Sequence, residues 1–258
     1  MKKLISAAIG IAMLGMAANT ADAGMKVRMG TEGAYPPFNF TDDKGQLQGF
    51  DVDVGNAICA AAGFECTWIV QDWDGMIPAL LAKKYDTIIA SMSITKERME
   101  KIGFSVKYYN TPGKFFAKKG AGYTISKAGL KGKTVGVQRA TIHENFLRDN
   151  FGDVIDIKSY ATQEEIYLDL VSGRIDMGMS DSVAASEGFL ETKDGAGFEH
   201  FGPGFSDPKW FGDGAGVGVR KEDDKLRMAI NEAIKKIRSD GTYKKINDKY
   251  FDFDVYGE

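Results

Sequence analysis

The sequence predicts an α/β protein of two lobes, on three observations. Two stretches, LLAKKYDTIIASMS (80–93) and LVSGRIDMGMSDS (170–182), each run from an amphipathic helix through a basic turn into an Asp-led apolar strand. Both strands end in Ser and Asp-type residues, so the chain builds one kind of unit twice. Such units imply mostly parallel sheets, which bind ligands beyond the carboxyl ends of their strands. Finally, about 235 residues remain once a leader is set aside, long for one small domain and comfortable for two of about 100 each. Two lobes facing one another put both sets of strand ends into one cleft.

The leader is residues 1–23: Lys2 and Lys3, an apolar run from Leu4 to about Ala18, then the small-residue cleavage site Ala21-Asp22-Ala23. The run falls short of the roughly 20 residues of a membrane span. No Cys stands at the junction to carry a lipid, so the expectation is a soluble product, starting near Gly24 and exported to a Gram-negative periplasm. The formal charge of −3 becomes −4 without Lys2, Lys3 and Asp22, and the remaining Lys and Arg are interspersed with Asp and Glu, which argues against a nucleic-acid surface.

In lobe one (24–110 and 215–258) we expect a strand at Val27–Thr31, a helix over about Asp51–Ala62, a strand at Cys66–Val70, a helix after Asp74 with Pro78 near its first turn, and a strand at Asp86–Ala90. Asn110-Thr111-Pro112-Gly113 is the clearest turn signal in mid-chain and marks the first crossing; Gly212–Gly216 marks the return. Lobe two (111–214) holds a strand at Thr134–Val137, a helix at Thr141–Asp149, a strand at Asp153–Ser159, a helix at Gln163–Val171, a strand at Ile175–Met179 and a helix through Ser182–Leu190. Thr141/Glu144 and Thr162/Glu165 fit capping boxes, in which each side chain satisfies an exposed helix-start amide. Leu226, Ile230, Ala233 and Ile237 mark one face of a helix that Gly241 ends, and Thr242 starts a last helix, which we expect to pack back on lobe one.

Cys59 and Cys66 are the two cysteines, and in an exported chain they read as a disulfide. A metal or redox pair would want a second Cys/His cluster, and none accompanies them. The two histidines, His143 and His200, show no zinc pattern, and no Ser-His-Asp or Cys-His arrangement is legible. His143 reads as a solvated helix residue. GDGAGVG (212–218) misses the G-x-G-x-x-G spacing and leads into a strand-like segment, so it is a hinge rather than a phosphate loop. We expect no cofactor and no metal.

GFDVDVGNAICAAA (49–62), with TEGAYPPFNF (31–40), DWDGMIPAL (72–80), ASMSITKER (90–98) and SDSVAASEGFL (180–190), resembles the bacterial extracellular solute-binding proteins of the polar amino acid type. Along almost all its mature length the chain is similar to the lysine/arginine/ornithine- and histidine-binding periplasmic proteins of ABC importers. The resemblance implies the type II periplasmic-binding-protein fold, with two hinge crossovers, the ligand in the interlobe cleft and a bridge at the spacing of Cys59 and Cys66. It also implies a monomeric receptor delivering an amino acid to a membrane permease on a separate polypeptide.

A free amino acid carries a carboxylate and an ammonium on one carbon, so its receptor needs a fixed cation, a fixed anion and oriented dipoles. Arg98, at the start of a short helix, can clamp a carboxylate with its planar fork, and it corresponds to the family's carboxylate-binding arginine. Asp181 matches the ammonium-binding aspartate and is also suited to cap the helix that follows. Ser91 and Ser93 complete the zwitterion's bonds from the lobe-one rim. Thr141 opens a helix, so its hydroxyl and the exposed amides behind it would receive the carboxylate from the opposite lobe. Tyr35 and Trp73 match the positions that sandwich a basic side chain, where an aromatic face attracts a cation by about 0.5–2 kcal/mol. Glu32 can pair with the distal cation.

Ala90 stands where close relatives often carry Ser, Ile142-His143 replaces the more usual Thr-Gln, and Gln138-Arg139 differs from the usual Leu-Gln-type pair. These departures favour arginine, ornithine or lysine over histidine. They also admit an opine such as octopine or nopaline, whose extra carboxylate a nearby Arg139 would neutralise. A dehydratase-like enzyme on the same fold would need a general acid placed at a leaving group. A receptor or channel sensor domain would need fused membrane or signalling segments, which the sequence does not show.

Overall fold

A computed structural model of the chain describes residues 24–257, and the expected leader (1–23) lies outside the described residues. The first strand, β1 (Lys26–Thr31), leads into a small antiparallel sheet, β2 (Ala34–Tyr35), β3 (Asn39–Thr41) and β4 (Leu47–Gln48). Helix α1 (Phe50–Ala62) follows and ends on Gly63, whose φ of 70° allows the left-handed cap that a Cβ would strain. After β5 (Glu65–Val70) come a 3₁₀ turn at Trp73–Gly75, α2 (Met76–Leu81), β6 (Thr87–Ile88), the short α3 (Lys96–Met99) and β7 (Gly103–Tyr109).

The chain then crosses to a second sheet through β8 (Gly113–Lys118), β9 (Thr134–Gln138), α4 (Ile142–Phe151), β10 (Asp156–Tyr160), α5 (Gln163–Val171), β11 (Met177–Asp181), α6 (Ser182–Ala185), a π turn at Ser186–Leu190, β12 (Phe198–Phe205) and α7 (Pro208–Phe211). It returns through β13 (Ala215–Val219), α8 (Asp224–Ser239) and α9 (Thr242–Tyr250).

The two large sheets repeat one plan, β5-β1-β6-β13-β7 in the first and β10-β9-β11-β8-β12 in the second. In each, the first three strands are parallel, and the fourth is the strand that has just arrived from the other lobe. That arriving strand runs antiparallel to both its neighbours. The expectation of mostly parallel sheets holds in strand direction, four of five in each, and the crossing strand is the antiparallel member that makes each sheet mixed. Periodicity did not reveal β7, β8 or β12.

Several predicted strands are shifted. Asp86–Ala90 shrinks to β6, because the Asp86 carboxylate turns back to Arg28 at 2.9 Å and Arg220 at 3.0 Å and Ser91 sits at a φ of 56°. Asp153–Ser159 starts later, at β10, because Val154 and Ile155 amides still donate to Phe151 O as the end of α4. The strand expected at Ile175–Met179 runs instead to Asp181 in β11, which makes Asp181 the last strand residue and the cap of α6 at once.

Each lobe has its own core. Beneath the first sheet α1 and α8 pack together, and α8 buries Leu226, Ile230, Ala233, Ile234 and Ile237 at helical spacing. In the second, Phe115, Val135, Val137, Leu147 and Met179 are enclosed. Val183 and Ala184 of α6 join the lobe-one cluster beside Tyr35 and Tyr109, so Asp181 sits where the two cores meet.

Asp51 and Asp53, two apart in α1, fall on opposite faces. Asp53 pairs with Lys249 at 2.7 Å and accepts from Tyr250 Oη at 2.9 Å, tying α9 to lobe one. Cys59 at the end of α1 is bridged to Cys66 of β5. Closing so short a loop stabilises by about 2.5 kcal/mol in the chain-entropy model. Replacing both cysteines by Ala is therefore expected to lower denaturant-unfolding stability by about 2 kcal/mol and leave ligand affinity unchanged; equal stability would show the bridge to be dispensable.

Candidate ligand-binding cleft

All eight residues singled out in the sequence line one cavity between the sheets. Glu32, Tyr35, Trp73, Ser91, Ser93 and Arg98 come from lobe one, and Thr141 and Asp181 from lobe two. The lobes touch around it: Gln138 Nε2 donates to Glu32 Oε1 at 2.6 Å, Trp73 Nε1 to Ala140 O at 3.1 Å, and Arg139 pairs with Asp74 at 2.6 Å.

Arg98 is held at the start of α3 with only 8% of its surface exposed, and the one hydrogen-bond acceptor of its guanidinium among the described residues is Ser93 O, at 3.1 Å from Nη1. Its guanidinium also lies over the Trp73 ring, 5.2 Å from the centroid. Burial pulls Arg98 down to about 10, against the opposing charge of Glu97. Asp181 Oδ1 accepts from the amides of Val183 and Ala184, and Oδ2 from the hydroxyl of Thr111 at the first crossing. Burial outweighs these bonds and pushes the carboxyl up to about 6. Burial likewise pushes Glu32 up to about 7, against the hydrogen bond from Gln138. None of the three has a salt-bridge partner among the described residues.

One buried cation and two buried anions, each short of a counter-charge, are costly to a fold unless something supplies it. The chain matches the bacterial extracellular solute-binding proteins, family 3, over residues 27–253. It is a member of that family. Among its relatives, the L-arginine-binding protein of Pseudomonas aeruginosa is 44% identical over 100% of this chain and 99% of its own. The lysine/arginine/ornithine-binding periplasmic protein of Escherichia coli is 45% identical over 90% of each. Among solved structures, an ancestral arginine-binding protein bound to arginine superposes with a TM-score of 0.82 at 35% identity, over 89% of this chain and 99% of that one.

Within this family member four sequence expectations change. The Thr141 hydroxyl is not free to serve a carboxylate: it donates to Gln138 O at 2.7 Å and accepts from the Glu144 amide at 3.2 Å. What α4 offers the cavity is its first two amides, of Ile142 and His143, which have no partner among the described residues. The expected capping box is also altered, since the Glu144 carboxylate takes the amide of Ala140, at 2.7 Å, rather than that of Thr141. Arg139 is held by Asp74 at the rim and does not line the cavity. Trp73 does more than face a ligand side chain, because Arg98 rests on its ring and its indole N–H bridges the lobes.

His143 is a further correction. It is 6% exposed on the cavity wall rather than solvated, because Phe146, Leu147 and Phe151 continue its face of α4 into the core. Burial, reinforced by Arg98, holds it neutral, down to about 3.

Other contributors were not among the expected ligand-binding residues. Asp51, fully buried, accepts from Asn39 Nδ2 at 2.8 Å, Ser91 Oγ at 3.0 Å and Tyr108 Oη at 2.9 Å. Asn39 Oδ1 in turn accepts from the Gly33 amide at 2.8 Å. One carboxylate thereby fixes the loop that carries Glu32 and Tyr35 against the turn that carries Ser91. Thr111 and Gln138 orient the acids Asp181 and Glu32.

Proposed function

We propose that this protein is the periplasmic binding component of an ABC importer, that it captures a basic L-amino acid (arginine, ornithine or lysine), and that it hands the ligand to a membrane permease. The observation that carries this is the charge pattern of the cavity. Arg98 against Asp181 and Glu32 is the mirror of a ligand with one carboxylate, an α-ammonium and a cationic side chain. In this reading Arg98 and the α4 amides hold the carboxylate, Asp181 and Ser91 the ammonium, and Glu32 the distal cation between Tyr35 and Trp73. The names of the relatives support the same ligand class. The opine reading loses the support that Arg139 gave it.

Arg98 and Glu32 belong to the first lobe and Asp181 to the second, so one ligand stabilises the closed arrangement alone. The lobes, 24–110 with 215–258 and 111–214, act as the hinged bodies, and the receptor works as a monomer. A thermal-shift screen of residues 24–258 against the twenty L-amino acids, ornithine, citrulline, octopine and nopaline tests this. Large shifts are expected with arginine, ornithine and lysine. A shift confined to neutral or acidic amino acids, or product formed from prephenate or arogenate, would contradict it.

The raised carboxyls predict a pH dependence. A ligand cation favours the ionised form of Glu32 and Asp181, so binding releases protons where these groups are partly protonated, around pH 5.5–7. Affinity for arginine should rise by up to about a hundredfold from pH 5.5 to 7.5 and then level off. The stability of the empty chain runs the opposite way: a carboxyl raised from 4.5 to about 7 favours the fold below its unfolded value and loses that advantage as pH climbs from there through 7. Arginine removes the loss, so its thermal shift should be larger at pH 8 than at pH 5. Calorimetry in two buffers of different ionisation heat at pH 6.5 reads the proton release directly; affinity that falls with pH over this range would refute the assignment.

A further inference from the structure

His143 is buried and His200 half-buried, and they are satisfied very differently. His200 has Phe115 O at 3.3 Å, Ser182 O at 3.0 Å and Ser186 Oγ at 3.1 Å around its ring. The His143 ring lines the cavity, yet neither of its nitrogens has a hydrogen-bond partner among the described residues. An imidazole at a cavity wall without a chain partner leaves its N–H available to a bound molecule.

Packing fixes where the ring lies. It meets Phe211 edge-on, with centroids 5.8 Å apart. At the first crossing Gly113 leaves room for it: a Cβ there would come within 3.0 Å of His143 Cδ2 and 3.2 Å of Nε2. Arg98 of α3 acts on the ring electrostatically from the opposite lobe. Arg98 has one backbone carbonyl as acceptor and otherwise faces the cavity, which Asp181 also lines. The neighbouring acid on α4, Glu144, is turned to Arg148 and Ser159, at 2.6 Å each, and the Thr141 hydroxyl donates its hydrogen bond to Gln138 O. Two donors thus meet the cavity from opposite lobes with no chain acceptor assigned to either free edge.

We infer that His143 is a ligand-contacting residue, whose neutral imidazole donates a hydrogen bond to the carboxylate of the bound amino acid beside Arg98. This rests on the basic amino acid reading above. It gives lobe two a side-chain donor in the place of the committed Thr141 hydroxyl, and makes recognition of a free carboxylate a property of both lobes.

Calorimetry of L-arginine and L-argininamide with the wild-type chain, His143→Leu, His143→Met and His143→Gln tests it. The Leu and Met variants keep the packing on Phe211 and lose the donor, whereas Gln keeps an N–H. The expected result is an approximately tenfold loss of L-arginine affinity in the donor-free variants, less than threefold in His143→Gln, and less than twofold change for L-argininamide throughout. Two donor-free variants guard against one failing to fold. Wild-type affinity for L-arginine in either, or an equal loss for the amide, would overturn the assignment and leave the ring a packing element. A wild-type chain that binds neither compound would overturn the proposed function itself and this role with it.

Discussion

Arg98→Ala is expected to weaken binding of every α-amino acid by at least a hundredfold while leaving the fold intact. Among the described residues the guanidinium is the sole basic side chain on the cavity wall other than the neutral His143. Truncating one partner of a buried, hydrogen-bonded charge pair costs about 2–5 kcal/mol, much of it from the charge left behind, which here is the ligand carboxylate. The fold pays no such cost. Arg98 is nearly buried, held by one carbonyl and a ring, and burial disfavours its charge, so its removal relieves a desolvated cation. Thermal unfolding without ligand should therefore stay at or above the wild-type midpoint. Calorimetry with arginine, lysine and glutamine checks the first part; near-normal affinity would show that the carboxylate seat lies elsewhere.

Glu32→Gln carries the second large effect, and here the loss is selective. Gln in this position can still accept from Gln138 Nε2, so the contact between lobes survives while the anion is lost. Affinity for arginine is expected to fall by about thirty- to a hundredfold, corresponding to a charge-assisted bond of roughly 2–3 kcal/mol. Citrulline, which has the shape of arginine without its charge, should change less than threefold. An equal loss for both would assign Glu32 to shaping the loop rather than to reading the cation.

The repeated helix-turn-strand unit was legible because apolar period and turn chemistry are local properties, and both sheets indeed follow one plan. The antiparallel strands were not, since β8 and β13 owe their direction to the crossings and not to their own residues. Within the site, charged residues at strand ends and helix starts could be read, because such positions open into a cleft. Asp51 was visible as half of an acidic pair, but its separation from Asp53 depends on which face of α1 is buried. His143 had a signal that went unused: with Phe146, Leu147 and Phe151 it follows helical spacing, which places it on the buried face. The commitment of the Thr141 hydroxyl to Gln138 O is tertiary geometry that no spacing reveals.

The most direct test of the central claim is the crystallographic orientation of L-arginine bound to the chain. The account predicts the α-carboxylate on Arg98 and the first amides of α4, the ammonium on Asp181, and the guanidinium against Glu32 between Tyr35 and Trp73. A reversed ligand, with its guanidinium at Asp181, or a ligand bound outside this cavity, would contradict it.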